Sequence, residues 1–196
     1  MSSRDYILKT LAKNKPDPVA LPTLPDFGPP PADLARPFTA VIESINGRVI
    51  EIPSDEALVT ALAALCDGGA VVGSALSRPL AGALHVQEVA DPHDLAGLDW
   101  FVCAGRLGVA ENGAIWVPAT QMIHRAAPFL TQHLALVLDR RNLVWTLHDA
   151  YRCLRIHNDG FGVFIAGPSK TADIEQALVI GAHGPRSLTV FLTHFN

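Results

Sequence analysis

The sequence predicts an α/β sandwich built on a mostly parallel sheet, and three observations carry that prediction. Residues 49–52, 100–104, 134–138 and 188–192 are short runs rich in branched and aromatic side chains, the pattern of strands buried on both faces. Segments whose apolar residues recur at helical spacing alternate with these runs. Glycine- and proline-rich breaks separate the two kinds of segment.

Taken in chain order, Ser2 or Ser3 caps a short helix carrying Tyr6, Ile7, Leu8 and Leu11. Residues 15–37 are crowded with proline, which fixes the backbone and removes donors, so they stay outside the core sheet. The arm then lies over the surface, reaches a neighbouring subunit, which would make it a homo-oligomer contact, or serves as a loose linker. The expected division is an arm at 1–37 and an α/β domain at 38–196. An amphipathic piece at 38–45 ends at Gly47, and a strand follows at 49–52. Ser54 caps the next helix, with Asp55 and Glu56 in its first turn and Leu58, Ala61, Leu62 and Leu65 on its buried face. It ends at Asp67-Gly68-Gly69, before a short strand at 70–72. Residues 77–99 show no clear period and receive no assignment. Strands are expected at 100–104, 107–110, 114–117 and 134–138, with a hairpin across 107–117, and Leu143, Leu147, Ala150 and Leu154 mark a helix. The closing stretch reads as a strand from Phe161, a loop, a helix with Ile174, Ala177, Leu178 and Gly181, a second loop, and a strand at 188–192. That predicts two buried parallel strands joined by a helical crossover.

Composition excludes several classes of function. At 49% hydrophobic content over 196 residues, the chain can bury roughly 70% of its unfolded surface, enough for one core. A formal net charge of −4 with no run of Lys or Arg gives no footprint for nucleic acid or an anionic membrane. No stretch is apolar for the roughly 18 residues a membrane span needs, and the opening residues carry charges where a signal peptide would be apolar. The expected compartment is the cytoplasm. Cys66, Cys103 and Cys153 are odd in number and form no C-x-x-C, so no disulfide framework, metal site or iron–sulfur cluster is written locally. Buried, inert thiols are the expectation. Without G-x-G-x-x-G there is no local case for nicotinamide or flavin, and no cofactor is expected in this chain.

Four groups of residues carry candidate chemistry. The loop Gly167-Pro168-Ser169-Lys170-Thr171 falls between a strand and a helix start, where free amides favour an anion such as a carboxylate or phosphate. Asp173 and Glu175 in the following turn oppose a second negative charge; alternatively Thr171 is simply the cap and the acids answer the helix dipole. Pro168 and Ser169 intervene before Lys170, which rules out a Walker loop, and the absence of a glycine two residues after Ser169 rules out a nucleophile elbow. His183, Gly184, Pro185 and Arg186 follow the expected helix; a parallel crossover would set them at the opposite sheet edge from Gly167, where His183 and Gly184 read as a helix stop. Glu111-Asn112-Gly113 reads either as a hairpin turn or as a nucleophilic glutamate. Arg125 is suited to pairing with a substrate carboxylate, and His133 to taking a proton from a 2-hydroxy acid.

The string GPSKTADIEQALVIGAHGPRSLTVFL, together with GRLGVAENGAIWV at 105–117 and Arg125, Pro128 and His133 in order, resembles the LUD-domain family of lactate-utilisation proteins. Glu111-Asn112-Gly113 also resembles the Glu-Asn-Gly signature of family I CoA transferases, which share the superfold. The LUD resemblance implies a three-layer α/β/α sandwich of the NagB/RpiA/CoA-transferase-like kind. It implies further a role in oxidising L-lactate to pyruvate beside iron–sulfur partner proteins. The expected function is therefore a cluster-free subunit or partner of such a system, binding a small carboxylate or phosphate near Gly167–Thr171 and Gly113. The alternative is an autonomous CoA-transferase-like or sugar-phosphate-isomerase-like enzyme using Glu111.

Overall fold

The computed structural model describes residues 2–23, 28–171 and 178–195. Its helices are α1 (Ser3–Lys13), α2 (Ala35–Ser44), α3 (Asp55–Ala63), α4 (Ala119–Met122), α5 (Ala127–Leu130), α6 (Leu147–Cys153) and α7 (Ile156–Asp159). Its strands are β1 (Arg48–Ile52), β2 (Val72–Ser74), β3 (Leu84–His85), β4 (Trp100–Ala104), β5 (Leu107–Val109), β6 (Ile115–Pro118), β7 (His133–Asp139), β8 (Leu143–Val144), β9 (Gly162–Ile165) and β10 (Ser187–Thr193). The main sheet has six strands in the order β1-β10-β7-β4-β2-β3, every neighbouring pair parallel. A smaller sheet of four strands runs β8-β5-β6-β9.

The strands form where the apolar runs lie because both faces of the main sheet are covered. On one face α3 packs through Leu62 over Ile52, Val72, Val102, Ala135 and Phe191. Ser54 starts that helix by accepting from the Ala57 amide at 3.2 Å, a cap worth about 1 kcal/mol. The opposite face buries Leu134, Leu136, Leu138, Leu188 and Val190 beneath Phe38 and Ile42 of α2 and Ile115 and Val117 of the smaller sheet. Outside that sheet, α6 closes a third cluster through Ala150 against Val109 and Trp116. The architecture is thus a three-layer α/β/α sandwich on a mostly parallel sheet, with the smaller sheet sharing a layer with α2.

Three expectations need correction. The strand beginning near Phe161 is not the parallel neighbour of the last strand: β9 pairs antiparallel with β6, placing Phe164 opposite Trp116. β10 is bonded on both sides, to β1 and β7, and has no edge left for β9. The helix expected after Thr171 falls largely on residues outside those described, and Leu178 to Ile180 are not helical, Ile180 bridging antiparallel to Lys170. Leu143, finally, belongs to β8; the helix begins only at Leu147, where Thr146 and Asp149 form a reciprocal capping box. The unassigned stretch 77–99 holds β3 and two short 3-10 turns, Val86–Glu88 and Pro92–Gly97.

Candidate functional site

The two loops of the closing segment are laced to one another. The Ser169 amide donates to the Pro185 carbonyl at 2.8 Å, and the Gly181 amide donates to the Ser169 carbonyl at 2.9 Å. The Thr171 amide donates to the Val179 carbonyl at 3.1 Å, while its hydroxyl accepts from the Val179 amide at 3.3 Å. The loops were expected at opposite sheet edges; they meet because no parallel crossover separates them. The expected free amides at Ser169 and Thr171 are accordingly engaged by backbone carbonyls. Gly167, at φ +70°, is buried, and a Cβ there would lie 2.9 Å from the Ile45 carbonyl oxygen at the end of α2. Lys170 folds over this bend with Nζ 3.5 Å from the Pro168 carbonyl, and partial burial pushes its ammonium below the usual lysine value. Asp173 and Glu175 lie outside the described residues.

The laced loops sit at the amino edge of the main sheet. The Arg186 amide donates to the Gln132 carbonyl at 2.8 Å, so the loop enters β10 beside the start of β7. There His133 Nδ1 is 2.8 Å from Ser187 Oγ, and its ring lies 4.8 Å from that of Trp100. A Cβ on Gly184 would stand 3.0 Å from that of Ser169 and 3.9 Å from the Phe129 carbonyl of α5. Ser169, Gly184, Pro185, Arg186 and His133 therefore gather along one edge, with His183 and Arg186 exposed. Arg125, also exposed, lies 5.0 Å over the Phe161 ring in a cation–π contact. Ser187 and Trp100 went unnoticed in the sequence because only the register of β4, β7 and β10 aligns them with His133.

Glu111 stands elsewhere. Its carboxylate accepts from the Leu147 amide at 2.5 Å, capping α6, and its own amide donates to the Trp145 carbonyl at 3.0 Å. Asn112 Oδ1 accepts from the Ala114 amide at 3.0 Å and Gly113 sits at φ +69°, so Glu-Asn-Gly forms the tip of the β5–β6 hairpin. Gly113 and Gly167 do approach a common element, since added Cβ atoms would meet Ile42 and Ile45 respectively near the end of α2. Glu111→Gln keeps an acceptor but loses a charge beside the α6 amides; it should lower stability by about 0.5–1 kcal/mol, read from a urea melt, without unfolding the hairpin.

At the carboxyl edge lies a cleft of about 630 Å³ between α3 and residues 76–81. Smaller cavities of about 310 and 270 Å³ flank the Arg140–Arg141 turn. Among the described residues no three His, Cys, Asp or Glu converge as a metal site, and no helix is long and apolar enough to cross a membrane. Cys103 is buried, which pushes its thiol up, and Cys153 is exposed.

Residues 92–193, which contain β4 through β10 and every loop of the amino-edge cluster, match the LUD domain. The chain belongs to the LUD domain family. Within this LUD domain protein, 83 residues are 32% identical to Lactate utilization protein C of Shouchella clausii, covering 39% of the chain and 36% of that protein. A second match, 35% identical over 83 residues, is Lactate utilization protein C of Bacillus pumilus, covering 39% and 35% respectively. The matched part spans little more than a third of the length of these curated relatives. The fold of a DUF162 family protein from Deinococcus radiodurans superposes with a TM-score of 0.64 at 16% identity, over 82% of this chain and 96% of that one.

Proposed function

We propose that this LUD domain protein is a cluster-free component of an L-lactate-oxidising system, working beside iron–sulfur proteins in the cytoplasm and binding a small carboxylate at the amino-edge cluster. The observation that carries the reading is the pair of matches to Lactate utilization protein C. Physical chemistry assigns the division of labour. Turning a 2-hydroxy acid into a 2-oxo acid removes a proton from the hydroxyl and a hydride equivalent from carbon, and the electrons need an acceptor. Three cysteines are one fewer than the four thiolates a cluster commonly takes, and Cys103 is wholly buried, so the acceptor is assigned to a partner. In this proposal Arg186, Lys170 and the Ser169 hydroxyl hold the carboxylate, and His133, oriented by Ser187, receives the hydroxyl proton.

A strain lacking this chain is expected to lose growth on L-lactate while growing normally on pyruvate, with growth restored by the wild-type chain. Unimpaired growth on L-lactate would remove the proposal. Calorimetric titration of the purified complex with lactate and pyruvate tests the binding half, which His133→Ala should weaken by about tenfold or more.

A further inference from the structure

Gly181 stands between two of the groups assigned to the carboxylate, and its missing side chain sets how far apart they lie. Its amide donates to the Ser169 carbonyl at 2.9 Å, which ties it to the bend at residues 167–171. Its other side faces Arg186: a Cβ at position 181 would lie 2.5 Å from Arg186 Cγ and 2.8 Å from Arg186 Cα. Contacts that short do not persist, so one partner would have to give. The Arg186 side chain can swing, but its Cα is anchored. The Arg186 amide donates to the Gln132 carbonyl at 2.8 Å, and Ser187 pairs in register with His133. Gly181 is held in turn by Ser169. Whichever side yields, the spacing between Ser169 and Arg186 changes. Arg186 is also open to an anion. Arg78, Arg106, Arg140, Arg141 and Arg152 each hold an aspartate, whereas Arg186 is exposed and pairs with no described carboxylate.

We infer that Gly181 is a positioning residue for the ligand's carboxylate: bare of a side chain, it lets Arg186 close against the bend that carries Ser169, so that guanidinium and hydroxyl meet one carboxylate beside His133. The inference rests on the carboxylate site proposed above. Gly181 touches no ligand and acts through Arg186. An arginine stem already seated on the backbone of Gly181 has less freedom to lose when its guanidinium takes the carboxylate. A displacement on the order of 1 Å is enough to open such a pair.

Calorimetric titration of the purified complex with L-lactate tests the assignment. Gly181→Ala and Arg186→Ala should each weaken binding by about tenfold. Combined, they should bind no more weakly than Arg186→Ala alone, because the group that Gly181 places is already gone. Gly160→Ala is the control. Gly160 sits at φ +65°, close to the +70° of Gly181, with nothing within 4 Å of an added Cβ, so it should reproduce the backbone strain and leave binding unchanged. In the free chain, Gly181→Ala should speed hydrogen exchange at the Gly181 or the Arg186 amide while β7 amides keep their protection. Unchanged affinity in Gly181→Ala, or the same further loss with and without the Arg186 side chain, overturns the positioning role and leaves the carboxylate site standing. So does full protection of both amides in Gly181→Ala, whatever the ligand does. A wild-type complex that binds no lactate removes the carboxylate site and the positioning role together.

Discussion

Gly162→Ala should lower the unfolding free energy by about 3 kcal/mol, a large effect for one methyl group. A Cβ at this first residue of β9 would lie inside the indole of Trp116, overlapping Cζ2 and standing 2.6 Å from Cη2 and 2.8 Å from Cε2. The indole has nowhere to slide. It is 4% exposed, its Nε1 donates to Asp159 Oδ2 at 3.3 Å, and it packs 4.9 Å from the Phe164 ring. Asp159 is itself fixed by Arg106 at 2.6 Å. Relieving the overlap therefore swings Trp116 out, unpairs its buried N–H and breaks the aromatic contact across β6 and β9. A guanidinium melt followed by tryptophan emission checks this: the midpoint should fall and the native emission should shift to the red. An unaltered midpoint would mean that β9 adjusts its backbone instead.

Phe191→Ala should cost about 3–5 kcal/mol, the range for removing a fully buried aromatic. Phe191 is 1% exposed in β10 and is the largest buried side chain in the cluster beneath α3. The other buried members are Ile52, Leu62, Val72, Val102 and Ala135, none with the reach to fill the hole. The opposite face of the sheet has its own, larger cluster, so the damage should concentrate in α3. Hydrogen exchange should show α3 amides losing protection before those of β7. A loss under about 1 kcal/mol would show that α3 settles onto the sheet and closes the cavity.

How much could be read beforehand depended on whether the deciding physics was local. Residues 100–104 and 134–138 were legible as strands because a parallel sheet covered on both faces demands uninterrupted apolar runs, residues 49–52 because Val49, Ile50 and Ile52 are branched, and Ser54 was legible as a cap because its partner is three residues away. The hairpin around Gly113 was written in Asn-Gly. β9 was not legible: its apolar run is indistinguishable from that of a parallel strand, and its true partner is fixed by the fit of Gly162 against Trp116, a contact between distant positions. At Leu143 the helical spacing misled, whereas the Thr146–Asp149 pair named the real helix start. Of the candidate site, the two glycine-proline loops were found, but their meeting at Ser169 and Pro185 followed from the wrongly assigned crossover and could not be.

The place of β10 has a consequence for biosynthesis. Arg48 pairs with Thr189 and Ser187 with His133, so β10 is the rib that joins β1 to the rest of the main sheet. At typical ribosomal rates β1 emerges on the order of ten seconds before β10, its neighbour in that sheet, exists. Throughout that interval the nascent polypeptide displays a strand whose Val49, Ile50 and Ile52 have no partner to pair with, making it a natural client for holding chaperones and a hazard whenever translation stalls.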